Sequence, residues 1–442
     1  MKLPEAFVNH LAERLGPELP AFLACYDQPA RRGLRLNPRK PVPPTALPPG
    51  LGEPIPWEPL GRFLDSASPA GLHPLHEAGA WYLQEPSAML PARVLAPRPG
   101  ERVLDLCAAP GGKSTQLAAL MDGQGLLVAN EPVAGRAQIL ARNLERMGVP
   151  NALAVSALPQ ELARRWPEAF DAVLVDAPCS GEGMFRRLPE SRETWEPQAP
   201  AGCAQRQAEI LDAAAQMVRP GGRLVYATCT FERAENEDTV EAFLRRRPDF
   251  SRVPFSLPGA EAPDGLWTCY PHRTPGEGQF AALLTRAGDA PCRLPEGAPK
   301  AAPRAICEAL AAAFPGAVLP ARLTLLGETL TAVPEGTPPL DGLRVLRCGL
   351  HLGFLKGRVF CPDHAWAVCG CPPEVPRVPL DEAAARRYLT GETLPVNAGL
   401  RGWALPTLAG IPLGWGKATG GVLKNHYPKG LRRSLDRPAA DS

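Results

Sequence analysis

The chain has 442 residues, of which 45% are apolar and 21% are charged, and its formal net charge is +2. This length predicts more than one domain, and the composition is that of a globular protein. The small charge excludes a globally basic surface, so any contact with nucleic acid must depend on local patches. No apolar run approaches about 18 residues, so we expect no membrane partner. Residues 1–16 show helical spacing without a cleavage site, which predicts a cytoplasmic protein rather than a signal peptide.

The twelve cysteines occur without a secretory signal, which predicts reduced thiols. Cys361, Cys369 and Cys371 are clustered, but they lack the paired C-x-x-C spacing that is typical of structural zinc sites. We therefore expect no metal.

Proline-rich segments at 41–59, 287–303 and 371–379 divide the chain, since such segments favour extended conformations. They predict domains over residues 1–72, 73–287 and 288–442, with a further division near 371–379 left open. No internal repeat is evident.

Strand-like and helix-like segments alternate in the middle domain. Predicted strands cover residues 103–106, 126–129, 172–175 and 223–227. Predicted helices cover residues 114–121, 134–147 and 204–217, and Pro220-Gly221-Gly222 is expected to end the last of them. This alternation predicts an α/β domain with a parallel, doubly wound sheet, in which ligands bind beyond the carboxyl ends of the strands.

A turn rich in small residues, 107–113, follows the first predicted strand. Its last residues, Gly112 and Lys113, are followed by Ser114 as in a phosphate-binding P-loop, but that motif requires a glycine at the position of Cys107. Asp105 precedes the turn, and Glu131 closes the next strand. Carboxylates at these two strand ends predict an adenosine-type ligand, with two solvated loop acids as the alternative.

Two cysteines, Cys179 and Cys229, each lie just beyond a predicted apolar strand, beside polar residues and turn formers. A single cysteine is more often an inert core residue. Consecutive strands of such a sheet are often neighbours, so we expect both thiols to face one crevice. The spacing alone does not decide which of them would be a nucleophile.

Three motifs carry a family resemblance: DLCAAPGGKS at 105–114, DAPCSGEG at 176–183 and ATCT at 227–230. Together they resemble the RNA 5-methylcytosine methyltransferases of the Nol/Nop/Sun type, and residues 76–95 and 271–284 are also similar to that family. The match runs in order over roughly residues 70–287.

Both ends of the chain extend this resemblance. Residues 33–38 are similar to the family's N-terminal domain, and residues 414–430 resemble the PUA-like part of its RsmF branch. The resemblance implies an N-terminal α+β RNA-binding domain over 1–72 and a Rossmann-like methyltransferase domain over 73–287. It also implies a C-terminal RNA-binding region over 288–442 that is PUA-like toward its end.

The resemblance implies an enzyme that transfers a methyl group from S-adenosylmethionine to carbon 5 of cytosine in RNA. The branch points to small-subunit (16S) ribosomal RNA near the decoding centre. Cys229 would add covalently to the cytosine, Cys179 would help to release the product, and Asp176 would contact the polar edge of the base. In DNA cytosine methyltransferases, by contrast, the attacking thiol occupies the position of Cys179.

The cofactor site that the resemblance implies consists of Cys107, Ala108, Ala109, Pro110, Gly111, Gly112, Lys113, Glu131 and Asp176. Lys113 would lie near the methionine carboxylate or a phosphate, with a surface lysine as the alternative. Relatives often carry an aspartate after the third strand, where this chain has Val155-Ser156-Ala157. The contact to the adenine amine is therefore left open: Ser156 or a backbone carbonyl replaces the aspartate, or the cofactor is bound more weakly at this point.

A basic segment near the C-terminus is the main candidate for RNA contact. Its predicted RNA-binding residues are Lys417, Lys424, His426, Lys429, Arg432 and Arg433, with Trp415 and Tyr427 as further stacking groups. A solvated basic tail is the alternative. Arg35, Arg39 and Lys40 form a weaker candidate.

Other functions compete with this interpretation. The substrate could be transfer RNA or another ribosomal RNA, or the chain could be a non-catalytic RNA-binding assembly factor. A methyltransferase acting on nitrogen would need no cysteine, and it typically carries an Asn/Asp-Pro-Pro-aromatic turn where this chain has Asp176-Ala177-Pro178-Cys179.

Overall fold

A computed structural model describes residues 3–297, 299–319 and 322–432. The N-terminal elements are α1 (Glu5–Leu15), α2 (Leu19–Ala24), β1 (Arg32–Leu36), β2 (Leu51–Ile55), β3 (Glu58–Leu64), α3 (Pro74–Glu77) and β4 (Trp81–Leu83). The elements of the middle part are α4 (Leu90–Leu95), β5 (Arg102–Asp105), α5 (Gly112–Leu120), β6 (Leu126–Asn130), α6 (Ala134–Arg146), β7 (Ala152–Val155), α7 (Pro159–Arg165), β8 (Phe170–Asp176), α8 (Ser191–Thr194), α9 (Ala199–Met217), β9 (Val218–Thr228), α10 (Glu237–Arg246), β10 (Phe250–Arg252), β11 (Phe255–Leu257), β12 (Ala260–Ala262), β13 (Leu266–Cys269) and β14 (Gln279–Arg286).

The C-terminal elements complete the chain. They are α11 (Arg304–Ala313), β15 (Leu323–Leu326), β16 (Thr329–Ala332), β17 (Val345–Cys348), β18 (Leu350–Lys356), β19 (Val359–Pro362), α12 (His364–Val368), β20 (Arg377–Leu380), α13 (Glu382–Thr390), β21 (Leu394–Pro395), β22 (Gly402–Leu408), β23 (Ile411–Pro412), β24 (Gly416–Thr419) and β25 (Val422–Asn425). Among the helices in the described ranges, none is long and apolar enough to cross a membrane.

Of the strands that the structure describes, nine form one central sheet. Its main path runs β10-β14-β9-β8-β5-β6-β7-β17, and β13 pairs with β14. The strands from β9 to β7 along this path are parallel, with helices between them in sequence. This confirms the predicted doubly wound α/β sheet. Because β6 lies on one side of β5 and β8 on the other, the strand order reverses at β5, where such sheets bind their ligands.

The central sheet is buried on both faces. Along β5, Val103 and Leu104 belong to different apolar clusters, one on each side of the sheet, because successive side chains of a strand point to opposite faces. The helices cover these faces with apolar stripes. On α6, for example, the buried residues Ala137, Leu140 and Leu144 recur at helical spacing. This packing holds the carboxyl ends of the parallel strands at one rigid edge.

The C-terminal region contributes a strand to this sheet. β17 pairs antiparallel with β7, and Val345 lies opposite Val155. The neighbouring Arg347 is buried and donates from Nη1 to Oε2 of Glu145 on α6 at 3.0 Å. The segment that we assigned to a separate C-terminal region is thus attached to the edge of the central sheet.

The N-terminal part is built around an antiparallel sheet with the order β2-β3-β1-β4. Its strand β4 follows residue 72, where we placed the end of this domain, and the domain limits stay a prediction. Helix α1 packs on the middle part of the chain, since Phe7 and Leu11 share one buried cluster with Phe231 and Tyr270.

Two residues of the weaker RNA-binding candidate are part of the interior. Arg35 donates from Nη2 to Oγ1 of Thr115 at 2.8 Å, and Lys40 donates from Nζ to the carbonyl oxygens of Ala78 and Arg146. Both side chains are buried, and burial lowers the pKa of Lys40 to about 7. The prediction of RNA contact is therefore wrong for Arg35 and Lys40, which instead join the N-terminal part to helices α5 and α6.

The C-terminal sheet, with the order β20-β22-β24-β25-β21, buries two aromatic residues that we expected to stack on RNA. Trp415 is 1% exposed and donates from Nε1 to the carbonyl oxygen of Asp363 at 2.8 Å. Tyr427 is buried against Tyr388. The stacking prediction is wrong for both residues because their rings lie in the apolar core.

The structure also differs from the helix end that we predicted at Pro220-Gly221-Gly222. These residues lie inside β9, and α9 ends before them, at Met217. The pairing with β8 skips from Val218 to Arg223, which indicates a bulge at this point.

We expect Trp415→Ala to lower the free energy of unfolding by about 3–5 kcal/mol, because it removes a large buried ring. Urea denaturation followed by circular dichroism would measure this change. Lys417→Ala, at an exposed neighbouring position, should change the same quantity by no more than about 0.5 kcal/mol. Loss of RNA binding at unchanged stability would instead restore Trp415 as a stacking group.

Candidate active site

The turn after β5 brings the backbone close to the space beyond the strand ends. The Ala109–Pro110 peptide is cis, and Gly111 has φ +113°, a conformation that a side chain would strain. A Cβ atom on Gly112 would lie 3.3 Å from Cε1 of Tyr82. Helix α5 begins at Gly112, so its first amide groups point toward the strand ends.

Asn130, at the end of β6, holds three strand ends together. Its Nδ2 donates to the carbonyl oxygen of Leu106 at 3.1 Å, and its Oδ1 accepts from the amide of Ala157 at 3.1 Å. The side chain is completely buried. We did not identify Asn130 from the sequence. The only signal for a functional role there was its position beside Glu131.

Asp105 is fully buried below the turn. Its Oδ2 accepts from Oγ of Ser114 at 2.6 Å, whereas its Oδ1 is buried without a hydrogen-bond partner. Burial raises the pKa of this carboxyl group to about 7. An unpartnered buried oxygen of this kind favours a ligand that brings a donor, and most of all a cationic one.

Glu131 lies at the end of β6, as predicted. Its Oε1 accepts from the amide of Val133 at 2.9 Å. Two apolar side chains flank this position on neighbouring loops, and both are exposed: Val133 by 53% and Leu158 by 62%. Oγ of Ser156 donates to the carbonyl oxygen of Pro132 at 3.3 Å and so connects the two loops. Exposed apolar groups beside a carboxylate fit the adenine and ribose of an adenosine-type ligand.

Lys113 and Asp176 form an ion pair. Their Nζ and Oδ2 atoms are 2.8 Å apart, and the lysine side chain is the more buried of the two. Burial lowers the pKa of Lys113, but the charge of Asp176 outweighs it, so the pKa is raised overall. The sequence placed both residues at the site, although their pairing becomes visible only in the structure.

Cys179 and Cys229 meet, as expected. The pairing of β8 with β9 sets Asp176 opposite Ala227, and the two Sγ atoms beyond these positions are 3.2 Å apart. The amide of Cys229 also donates to Sγ of Cys179 at 3.3 Å. The hydrogen bond with Cys229, together with burial, raises the pKa of the Cys179 thiol well above its usual range.

Cys107 is a different case, because burial and the nearby Asp105 raise its pKa strongly. A thiol in this environment stays protonated and is a poor nucleophile. Its position at the turn fits a small residue beside a ligand.

Three of the candidate RNA-binding residues, Lys417, Lys424 and His426, lie around one aromatic ring of the C-terminal sheet. Lys417 is opposite both Trp403 and Lys424, and its Nζ is 5.2 Å from the Trp403 ring centre. His426 contacts the same ring at a centroid distance of 4.7 Å. Lys417, Lys424, His426 and Lys429 are exposed, Arg432 is half-buried, and Arg433 lies outside the described residues. The sequence interpretation missed Trp403, a half-buried aromatic ring in this cluster.

Four family models match successive parts of the chain. They are described as N-terminal domain of 16S rRNA methyltransferase RsmF (residues 3–86), 16S rRNA methyltransferase RsmB/F (92–285), RsmF rRNA methyltransferase first C-terminal domain (307–369) and methyltransferase RsmF PUA domain (375–433). The protein called ribosomal RNA small subunit methyltransferase F in Klebsiella pneumoniae is 33% identical over 97% of this chain and 96% of its own length. Its counterpart in Cronobacter sakazakii is 34% identical over 98% and 96%.

The chain belongs to the ribosomal RNA small subunit methyltransferase F family. Solved structures agree with this assignment. A methyltransferase homologue from Pyrococcus horikoshii is 27% identical, with a TM-score of 0.51 over 64% of this chain and all of that one. NSun6 from the same organism has the same fold at 20% identity, with a TM-score of 0.55 over 65% of this chain and 99% of its own.

Members of this family are S-adenosylmethionine-dependent methyltransferases, and the site fits that cofactor. The buried, unpartnered Oδ1 of Asp105 can accept from the methionine ammonium group. With the cofactor bound, Glu131 would accept from the ribose hydroxyls, and the exposed Val133 and Leu158 side chains would lie against the adenine ring. The residues present therefore provide a contact for each part of the molecule.

We expect the affinity for S-adenosylmethionine to fall as the pH drops below about 7, the pKa of Asp105. The bound ammonium group favours the carboxylate, so each pH unit below that pKa should cost about tenfold in affinity. Calorimetric titration across this range would measure the slope. Asp105→Asn should bind more weakly and lose the dependence, whereas a flat profile in the unaltered protein would contradict this role.

Proposed function

We propose that this chain transfers a methyl group from S-adenosylmethionine to carbon 5 of a cytosine in small-subunit (16S) ribosomal RNA, near the decoding centre. Cys229 is the nucleophile in this proposal. The observation that carries it is the pair of sulfur atoms, 3.2 Å apart, beside the Lys113–Asp176 ion pair at the carboxyl ends of β8 and β9. A methyltransferase acting on nitrogen has no use for such a pair of thiols.

Carbon 5 of cytosine is a weak nucleophile, and covalent catalysis overcomes this weakness. Addition of the Cys229 sulfur to carbon 6 forms a C–S bond and moves electron density to carbon 5. S-adenosylmethionine supplies the methyl group that carbon 5 then accepts. A solvent base takes the carbon 5 proton, the electrons of the C–H bond re-form the ring double bond, and the electron pair of the C–S bond returns to the Cys229 sulfur.

Cys179 assists the return of that sulfur. Because its pKa is raised, it keeps its proton and can donate an S–H hydrogen bond to the sulfur of Cys229. Such a bond stabilises negative charge on Cys229 as the C–S bond breaks. This geometry supports the division of roles that the family resemblance implies.

Asp176 contacts the polar edge of the cytosine. Its carboxylate can accept from the exocyclic amine or from a protonated ring nitrogen, and Lys113 holds it in place at 2.8 Å. Lys113 would thus position the residue that contacts the cytosine, in addition to lying near the cofactor.

The partner of the enzyme is RNA, and the finer proposal is the small-subunit ribosomal RNA or an assembling 30S particle in the cytoplasm. The names of the relatives and the match to a PUA domain model support it. A base in folded RNA must be extruded to reach the cysteines, so the protein needs a flanking RNA-binding surface. The exposed Lys417, Lys424 and His426 beside Trp403 provide one.

The proposed reaction can be tested with 16S RNA and S-adenosylmethionine, followed by mass spectrometry of the digested nucleosides. We expect 5-methylcytidine. Methylation at nitrogen, or none, would overturn the proposal.

The two cysteines should differ when each is replaced. Cys229→Ala should abolish methylation and form no covalent complex with RNA, because the attacking atom is gone. Cys179→Ala should accumulate a protein–RNA complex that resolves slowly, because the departing sulfur loses its hydrogen-bond donor. Denaturing gels with labelled RNA would show both results. The reverse pattern would assign the attack to Cys179.

The double substitution Lys417→Ala with Lys424→Ala should weaken RNA binding and reduce the salt dependence by about two units of slope, because two phosphate contacts are lost. Binding measured at several salt concentrations gives this slope. Lys356→Ala, which removes an exposed lysine on β18, is the matched control and should leave the slope unchanged. An unchanged slope in the double variant would show that this face does not bind RNA.

A further inference from the structure

Two loops carry the cysteines. The first cysteine loop (residues 177–183) follows β8, and the second cysteine loop (residues 229–236) follows β9. A buried carboxylate of the first loop, Glu182, reaches across to the second. Its Oε2 accepts from Oγ1 of Thr230 at 3.0 Å and from the amide of Phe231 at 3.2 Å.

A second buried carboxylate makes the opposite connection. Glu235 belongs to the second cysteine loop, and its Oε2 accepts from the amide of Ser180 in the first loop at 3.0 Å. Gln207 of α9 donates from Nε2 to the same oxygen at 2.7 Å and to the carbonyl oxygen of Pro178 at 3.0 Å. Each loop thus anchors the other through a glutamate.

Further bonds join the residues next to the cysteines. Oγ of Ser180 and Oγ1 of Thr230, which directly follow Cys179 and Cys229, are 2.8 Å apart. The amide of Gly183 donates to the carbonyl oxygen of Cys229 at 2.9 Å. A Cβ atom on Gly183 would lie 2.8 Å from that oxygen, so only glycine permits this approach.

Building on the function proposed above, we propose that Glu182 is a positioning residue for the methyl transfer. With Glu235 it forms a reciprocal clamp that sets the separation of the Cys179 and Cys229 sulfur atoms. Neither glutamate needs to touch the cytosine. The clamp acts through Thr230, Phe231 and Ser180, the residues of the two cysteine loops that donate hydrogen bonds to the glutamates.

The surroundings of Glu182 suit an anchor. The side chain is completely buried, and its Oε2 receives both hydrogen bonds while its Oε1 has no partner. Burial, with the nearby charge of Glu232, raises the pKa of Glu182 to about 8. The uncharged carboxyl group still accepts from a hydroxyl and an amide, so the clamp does not depend on ionisation.

The N-terminal helix closes over the same position. His10 of α1 lies with Nε2 3.9 Å from Oε2 of Glu182 and with Nδ1 3.6 Å from Oε2 of Glu232. Phe7, one turn earlier, packs on Phe231 of the second cysteine loop. The clamp is therefore sealed from solvent by the N-terminal part of the chain.

Three variants test the clamp. Glu182→Ala removes the oxygen that accepts both bonds, whereas Glu182→Gln keeps a carbonyl oxygen that can accept the same two bonds. Glu232→Gln is the matched control, because its side chain is the neighbouring carboxylate but bonds to neither loop in the described structure. Single-turnover assays should follow the appearance and the decay of the covalent RNA complex, together with kcat and KM for RNA.

We expect Glu182→Ala to lower kcat by about tenfold to a hundredfold, because a misplaced sulfur reacts poorly. The covalent complex should also decay more slowly, and KM for RNA should stay near its original value. Glu182→Gln should recover most of the rate, and Glu232→Gln should match the unaltered protein. If Glu182→Ala lowers only the unfolding midpoint and leaves kcat and the decay of the complex unchanged, the residue has a structural role and the proposal is wrong.

A measurement without RNA separates this proposal from the proposed function. Phenylarsine oxide bridges two close thiols, forming two As–S bonds and releasing water. The unaltered protein and Glu182→Gln should form the Cys179–Cys229 bridge quickly, and Glu182→Ala should form it more slowly, as read by peptide mass spectrometry. Equal bridging rates, or no bridge in the unaltered protein, would overturn the clamp, whereas absence of 5-methylcytidine with normal bridging would overturn only the function.

Discussion

The parallel pairing of β8 with β9 is the contact on which the chemistry of this protein depends. Asp176 and Ala227 lie opposite each other in the sheet, so the chain leaves both strands at the same level and turns over the same edge. The two cysteines follow within a few residues and come within 3.2 Å of each other. At this distance a protonated thiol can stabilise charge on its neighbour, which neither cysteine could do alone. The buried glutamates of the two loops then act on a geometry that the strands have already established.

The cofactor side of the site also depends on buried polar groups at strand ends. Asn130 bonds to backbone groups of two loops, and Asp105 keeps one buried oxygen without a partner. A buried oxygen without a partner is costly in a folded protein, and at Asp105 the cationic ammonium group of the cofactor would remove that cost. Lys113 links this side to the substrate side through Asp176.

The RNA-binding candidates that the structure overturned differ from those that remain in their burial and not in their residue type. Trp415, Tyr427, Arg35 and Lys40 have the side chains that nucleic-acid surfaces use, yet all four lie in the interior. An arginine or lysine head group can be buried when backbone carbonyl and hydroxyl oxygens accept its hydrogen bonds, and these oxygens come from segments distant in sequence. Trp403 shows the converse, because cross-strand pairing sets it beside Lys417.

The amino-acid sequence alone was sufficient to predict the fold class, the positions of the Gly-rich turn and of both cysteine motifs, and the family, because these depend on local periodicity and on residue order. It placed Cys179, Cys229 and Asp176 at strand ends and Lys113 at the start of a helix, since helix and strand patterns are read within one segment. The folded structure was needed to show which of these groups are in contact, which carboxylates are buried, and which aromatic rings reach the surface. Those outcomes depend on strand order and on packing between segments far apart in the chain, as the attachment of β17 to β7 and the cross-loop bonds of Glu182 and Glu235 show. A local pattern carries no information about such partners, because the same residue types serve equally well in a core, at a surface or beside a ligand.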